Sequence, residues 1–479
     1  MLSIGVALAP MAGDLDASLS TLQWFMSGYG IGVAAFLITA GKLSDMIGGR
    51  NMNRVGLLLF GLASVLMALA PNSMFAIAAR LLQGVAGAIM VSSSIGIAGQ
   101  LFAGHERSRV FSLIMAMAGL GMSLGPLVGG ILIHYFDWRA LFWANVPITL
   151  LWALNNTVAL PRDKPRRRVS FDFIGLILLM GTILLFVVPL SQAGEWGWSA
   201  PRTIGLFAGF AVSLPLLLIW EKRVRNPLLD FAVFRAPGFF TANICAGISY
   251  FVALGWLFLF SLYLHHVQGL GALATGFSFL PFSIGYFGAG LLSTGLGERL
   301  GWRRFLATGL LVLAVGILAL SFIGSATPIW LLGCGFAAVG VGYICANNAA
   351  ITLAQGDVPA EKAGAASGIS MMFRWLGSAL GITVMTLVLH AESHAELDRQ
   401  LSQREDLQSN AAKWAEVLTE DGSWSKQLSS LPVAERKEIR FVLASSYTAG
   451  VDRGLLILAF CGLGALVLVR WVPGRQGLS

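Results

Sequence analysis

Apolar and polar positions alternate along this chain in long blocks. Apolar runs fall at 22–41, 55–70, 74–99, 110–133, 139–160, 173–190, 204–220, 239–264, 271–294, 305–323, 329–353, 364–389 and 454–472, and a shorter apolar stub covers 1–11. A helix needs roughly 20 apolar residues to cross a bilayer. The pattern therefore predicts an all-α membrane protein of about fourteen spans: thirteen full ones and a truncated first. The run at 55–70 is short but continuous, and Arg54 can snorkel to the interface from its start. The long polar segment 390–453 is charged, rich in Gln and Ser and partly helical in pattern, and carries no readable chemistry.

Basic residues set the orientation of such a bundle. Alternate short loops hold Lys42, Arg50 and Arg54; Arg107 and Arg109; Arg162, Lys164 and Arg166 to Arg168; Lys222, Arg223, Arg225 and Arg235; Arg299, Arg303 and Arg304; Lys362; and Arg470 and Arg475. The opposite short loops hold only Arg139 and Arg202. Loop 42–54 is thus expected to be cytoplasmic, with both termini on that side and 390–453 facing outward. The formal net charge of +8 then belongs to the cytoplasmic leaflet and calls for no nucleic acid.

Composition narrows the class. Of 479 residues, 56% are hydrophobic and 12% charged, against about 25% charged in soluble domains. That excludes a soluble multidomain enzyme, and the same figures exclude disorder. Cys245, Cys334, Cys345 and Cys461 lie inside apolar segments without the spacing of a metal knuckle or redox pair. The six histidines are scattered, only His265 and His266 adjoin, and there is no Gly-rich phosphate loop followed by Lys-Ser/Thr. No enzyme, metal or cofactor is expected.

The two ends of the chain repeat one another. Asp45, Gly48 and Arg50 in the segment Gly41 to Arg50 have counterparts in Glu298, Gly301 and Arg303, at a constant offset of 253 residues. Each copy follows an apolar run into a basic loop. Two six-helix halves, 1–160 and 239–479, then flank an extra helix pair within 161–238. Tandem halves around a midplane site are the architecture of many secondary transporters.

Within that frame several motifs carry a family resemblance. Gly41-x-Leu-Ser-Asp45-x-x-Gly48-x-Arg50 resembles the loop 2–3 signature of the major facilitator superfamily, with Met46 and Gly49 where basic residues are usual. Arg80-x-x-Gln83-Gly84-x-x-Gly87 resembles its fourth-helix motif, and Gly121-Met-Ser-Leu-Gly125-Pro126-Leu-Val-Gly129-Gly130 its antiporter-associated fifth-helix motif. Trp138-Arg139-x-x-Phe142-x-x-Asn145-x-Pro147, Gln23-Trp24 with Tyr29, and Arg374-Trp-Leu-Gly377-Ser-Ala-Leu-Gly381 are similar to the fourteen-helix drug:proton antiporter branch, the EmrB/QacA type. The resemblance implies export of hydrophobic or amphipathic small molecules by alternating access in exchange for protons. It also implies the inner membrane of a bacterium and no cofactor beyond the proton gradient. A dedicated metabolite or siderophore exporter and a non-transporting sensor are the alternative readings, and a periplasmic adaptor partner is left open.

The residues give physical content to these roles. Gly41 and Gly48 allow a tight turn and close helix approach. Asp45 can meet a helix N-terminus or a basic group in one conformation only, as a latch. Gly121, Gly125 and Gly129 recur every four residues and form one smooth helix face, with Pro126 favouring a bend and Gly130 adjoining. Of 24 acidic residues none lies deep in a full span, whereas two arginines do. Arg80 is about 9 Å into its helix and Arg374 about 15 Å, and an intramembrane charge is a functional hypothesis by default. Gln23, Trp24, Tyr29, Asn243, Tyr250, Asn347 and Asn348 are candidates to line a central cavity. Asp172 and Glu221 are expected to orient the ends of the extra helices. The branch carries a carboxylate in its first helix, which here falls before Met1. The reading frame is therefore expected to continue upstream by roughly 10–20 residues, with that acid as proton site and partner of Arg80.

Overall fold

Helix boundaries follow the capping chemistry of the sequence. Ser18 accepts a bond from the Thr21 N–H at the start of α2, and Asn72 accepts from the Phe75 N–H at 3.0 Å at the start of α4. Pro201 opens α9 at a position where no backbone donor is needed. The computed structural model describes residues 2–102, 104–160, 163, 172–224, 227–228, 231–322, 329–356, 358–359, 362–403, 414, 418, 428 and 432–473. Its helices are α1 (Leu2–Leu15), α2 (Leu19–Ile47), α3 (Gly49–Ala68), α4 (Ser73–Leu101), α5 (Gly104–Tyr135), α6 (Ala140–Trp143), α7 (Asn145–Ala159), α8 (Phe173–Trp196) and α9 (Pro201–Arg223). They continue with α10 (Phe239–His266), α11 (Ala272–Ser278), α12 (Leu280–Leu300), α13 (Trp302–Leu320), α14 (Ile329–Gln355), α15 (Ala363–Ser402) and α16 (Val433–Leu468). Among the described residues, 11 helical segments are long and apolar enough to span a bilayer, α11 and α12 counting as one. The predicted runs fall on α2 to α16 in order, with α6 and α7 together forming one and α1 the incomplete first.

The segment expected to be a loop at 390–453 is helical at both ends. Helix α15 runs 40 residues and α16 runs 36, about 60 Å and 54 Å at 1.5 Å per residue, well beyond a hydrocarbon core of about 30 Å. Leu389, Ser393, Leu397 and Leu401 recur every four residues and are buried, as are Ile439, Leu443 and Tyr447 opposite them. This amphipathic stripe holds the two helices together outside the apolar blocks, and the surrounding charges hide it from a hydropathy reading.

Helices α2, α3, α4 and α7 pack together in the first half, and α10, α12, α13, α14, α15 and α16 in the second. The halves meet along α2 with α15, α5 with α11 and α12, and α1 with α10. Apolar helices gain nothing by leaving lipid for one another, so close van der Waals approach has to hold them. Such an approach occurs where Gly32 faces Gly84: a Cβ on Gly32 would lie 2.5 Å from the Leu81 carbonyl oxygen, and one on Gly84 would run into the Tyr29 carbonyl. The extra pair lies outside this frame. Helix α8 packs on α2 and α15, and α9 packs chiefly on α8. Asp172 caps α8 by accepting from the Gly175 N–H at 2.8 Å and also accepts from the Trp220 indole, tying the pair at one end.

The internal repeat is visible in the backbone. Gly48, between α2 and α3, has φ 107° and ψ 139°; Gly301, between α12 and α13, has φ 81° and ψ 131°. Both are conformations that L side chains rarely adopt. Following each glycine, an arginine reaches the end of the last helix of its own half. Arg50 donates to the Thr157 carbonyl at 2.5 Å, and Arg303 to the Val469 and Arg470 carbonyls at 3.1 and 3.0 Å.

Candidate functional site

The first buried charge is satisfied along a fixed line. Arg80, on α4, is 5% exposed. Its Nε donates to the Phe25 carbonyl of α2 at 2.8 Å, and its Nη1 donates to Gln83 Oε1 at 2.7 Å. Gln83 Nε2 donates to Ser64 Oγ at 2.8 Å, and Ser64 donates to the Phe60 carbonyl at 2.8 Å. The line thus ends on the α3 backbone, and Gln83 is committed at both ends. Arg80 Nη2 has no hydrogen-bond partner among the described residues. The guanidinium lies 5.2 Å from the centre of the Tyr29 ring, within cation–π range. Beside it is a cavity of about 130 Å³ lined by Ser3, Ile4, Tyr29, Phe60, Arg80, Gln83, Leu141, Phe142 and Asn145.

Aromatic rings lead from this arginine to the second. Tyr29 meets Trp375 of α15 edge-on at 5.4 Å, and Trp375 meets Tyr250 of α10 at 6.2 Å. Tyr250 contacts Tyr343 of α14, which contacts Tyr286 of α12. Arg374 is buried within electrostatic reach of all three tyrosines, and its Nε donates to the Ser370 carbonyl at 3.1 Å. Four helices of the second half therefore surround Arg374, and the Tyr29–Trp375 contact joins the halves in the middle of the bundle.

Other predicted residues are distributed around this centre. Gln23 donates to Thr383 Oγ1 at 2.6 Å and so links α2 to α15. Trp24 packs with Leu179, Ile183, Val187 and Leu217 of the extra pair and lies in that packing layer instead of lining a cavity. Asn348 donates to Ser293 Oγ at 2.9 Å, joining α14 to α12, while Asn347 is buried with its amide oxygen unpartnered among the described residues. Asn243 turns back onto the Phe239 carbonyl of its own helix.

The glycines of α5 do not form one continuous packed face. A Cβ on Gly121 would meet nothing within 4 Å, whereas one on Gly129 would lie 3.0 Å from the Ser3 carbonyl oxygen and one on Gly130 2.7 Å from that of Ala272. The Pro126 carbonyl oxygen is 2.6 Å from where a Gly276 Cβ would be. Close packing is thus confined to the end of α5 remote from the basic loops, where it meets α1 and α11. Gly125 is half-buried beside it.

In the loop signature, Gly41 also has nothing within 4 Å, so the close approach expected there belongs to Gly48 alone. The side chain of Asp45 lies outside the described residues. Glu298 is exposed. Asp163, which the sequence reading passed over, accepts from the Arg50 and Asn51 N–H groups at 3.2 and 3.0 Å and caps α3 from the loop after α7. It supplies the side-chain acceptor that Gly48 cannot. Trp375, Tyr286, Tyr343 and Ser64 were likewise passed over. Trp375 stands inside a quoted motif next to Arg374, but nothing in the sequence marks which ring will face Tyr29 across 346 intervening positions. At the face opposite the basic loops, Arg139 pairs with Asp14 at 2.5 Å and lies over the Trp138 ring, whose indole also donates to Asp14.

The comparisons agree with this architecture. The family model described as "Major Facilitator Superfamily" matches residues 1–382. The multidrug resistance protein Stp of Mycobacterium tuberculosis is 28% identical over 98% of this chain and 89% of its own length. The tetracenomycin C resistance and export protein of Streptomyces glaucescens is 30% identical over 81% of this chain and 72% of its own. Among solved structures, a bacterial homologue of the human lysosomal transporter Spinster, in an inward-facing and unoccupied conformation, superposes with a TM-score of 0.69. The match covers 98% of this chain and 93% of that one at 14% identity, a likeness of fold. The chain belongs to the major facilitator superfamily, as a multi-pass membrane transporter and not an enzyme.

Proposed function

We propose that this protein exports hydrophobic or amphipathic small molecules by alternating access, in exchange for protons, as a fourteen-span member of the drug:proton antiporter branch. The observation that carries this reading is the line Arg80–Tyr29–Trp375–Tyr250–Arg374, which crosses from one half to the other in the middle of the bundle. Two halves that rock against each other must remake such a contact, and a molecule bound there biases which arrangement is stable. The α5–α11 contact through Gly130 and Gly276 and the α1–α10 contact close the bundle at the end remote from the basic loops. Positive-inside counting places those loops in the cytoplasm, so the open side in this arrangement is the cytoplasmic one of a bacterial inner membrane. The names of relatives such as the resistance protein Stp and the tetracenomycin C exporter support export over uptake.

The test is transport in reconstituted vesicles with an imposed pH gradient and a panel of neutral, cationic and anionic lipophilic dyes. The reading expects gradient-dependent dye movement that an uncoupler abolishes, accompanied by counterflow of protons. Dye movement that persists at full rate without a gradient would remove the proton exchange, and no movement of any dye would remove the exporter reading.

A further inference from the structure

We infer that the cavity beside Arg80 receives the acidic group of an anionic aromatic substrate, a carboxylate or phenolate carried on an apolar ring body. This names the substrate class for the exporter site above and rests on that reading. The cavity holds about 130 Å³, close to the roughly 150 Å³ engineered cavity that takes up benzene and below the 300–1,000 Å³ of a site for a whole drug-sized ligand. It has room for one headgroup or ring, with the rest of the molecule extending past Tyr29 toward Trp375.

Its chemistry selects the sign of that headgroup. Arg80 is the only charged residue among those lining it, and no carboxylate is among them. Two guanidinium nitrogens are committed to Phe25 and Gln83, and Nη2 is buried without a partner. Gln83 cannot turn to serve Nη2 without breaking its bonds to Arg80 and Ser64. An anion placed there gains a charge-assisted bond from a donor already fixed in position. A cation brings like charge against a buried guanidinium, in a medium where Coulomb terms are weakly screened. Tyr29, Phe60 and Phe142 supply ring faces and edges for an aromatic body. Further along, Arg374 offers a second positive charge behind Trp375.

The experiment compares 1-naphthoate, 1-naphthamide and 1-naphthamidine, one ring body carrying a negative, a neutral and a positive group. Binding to the purified 479-residue protein in detergent is measured by titration calorimetry, and export by ring fluorescence in everted vesicles. Naphthoate is expected to bind at least tenfold more tightly than the amide, with the amidine weakest. Arg80→Gln should cost naphthoate tenfold or more and the amide less than twofold. Since that variant also loses internal bonds and could fail to fold, Leu141→Trp fills the cavity while leaving Arg80 in place, and it should abolish naphthoate binding. Equal affinities for the three probes, or preference for the amidine, would overturn the inference. Export of neutral or cationic dyes without naphthoate would overturn it while sparing the exporter reading. Charge-selective binding with no export of any compound would keep the site and overturn the exporter reading.

Discussion

Arg80 and Arg374 are both 5% exposed and both sit in the middle of the bundle, yet they are held in different ways. In the first half, Arg80 is gripped at fixed angles by a backbone carbonyl and a doubly bonded glutamine, with one nitrogen unpartnered beside a cavity. In the second half, Arg374 has one carbonyl of its own helix and a surround of three tyrosines. A planar fork is needed in the first setting, because two donors must point in two set directions. In the second, the phenol groups can turn toward any compact positive charge. The same element, a buried arginine, thus serves as a rigid socket in one half and as an adaptable counterpart in the other.

Exchange of the two arginines breaks or sharpens this contrast most strongly. Arg80→Lys is expected to drive export to background, about a hundredfold loss or more, and Arg80→Ala to do the same with lower thermal stability. Each unpaired buried group left behind costs about 1–3 kcal/mol. Arg374→Lys should keep export within about fivefold of the parent. Initial rates in vesicles, normalised to folded protein, measure both; equal losses from the two lysine variants would erase the distinction.

A second, smaller contrast lies in the repeated loop. Gly48 and Gly301 share a backbone conformation, but only α3 receives a cap from outside, through Asp163. Among the described residues no side chain caps α13 in that way. Gly301→Ala is expected to cost about 1–2 kcal/mol for its left-handed backbone, and Gly48→Ala more, since its Cβ would collide with Asp163. Asp163→Ala should cost about 1 kcal/mol, as lost N-caps do. Thermal denaturation in detergent ranks the three, and a smaller loss for Gly48→Ala than for Gly301→Ala would contradict the collision.

The weakest expected effects come from the arginines that follow these glycines. Arg50→Ala and Arg303→Ala each remove a cation from a helix C-terminus, worth about 0.3–1 kcal/mol. Arg303 should cost slightly more, because it serves two carbonyls where Arg50 serves one. Identical melting shifts would leave the two copies equivalent in this respect.

The spans, the repeat and the buried arginines were legible because each rests on a local signal: a run of apolar residues, a fixed offset, a charge where charges are costly. The hairpin of α15 and α16 was only faintly legible, since its stripe of Leu389, Leu397 and Leu401 is interrupted by charges on the other faces. The site was legible in part. Arg80, Gln83 and Tyr29 stand together in the structure, but Trp24 faces the extra helix pair and Gly121 faces open space. Which side of a helix meets which neighbour depends on tertiary rotation, and a motif does not record it. Asp163 illustrates the same limit, as its acceptor role comes from a loop folding back over more than a hundred residues onto α3.

The central claim is that the two halves rock about the Tyr29–Trp375 contact. Spin-label distances test it most directly, with one pair at Leu101 and Leu300, near the basic loops, and a second at Tyr135 and Trp330, at the opposite end. All four positions are exposed. Under an imposed proton gradient with an exported compound present, the account predicts reciprocal changes, the first distance shortening as the second lengthens. Transport that proceeds while both distributions stay unchanged, or while both move in the same direction, would contradict it.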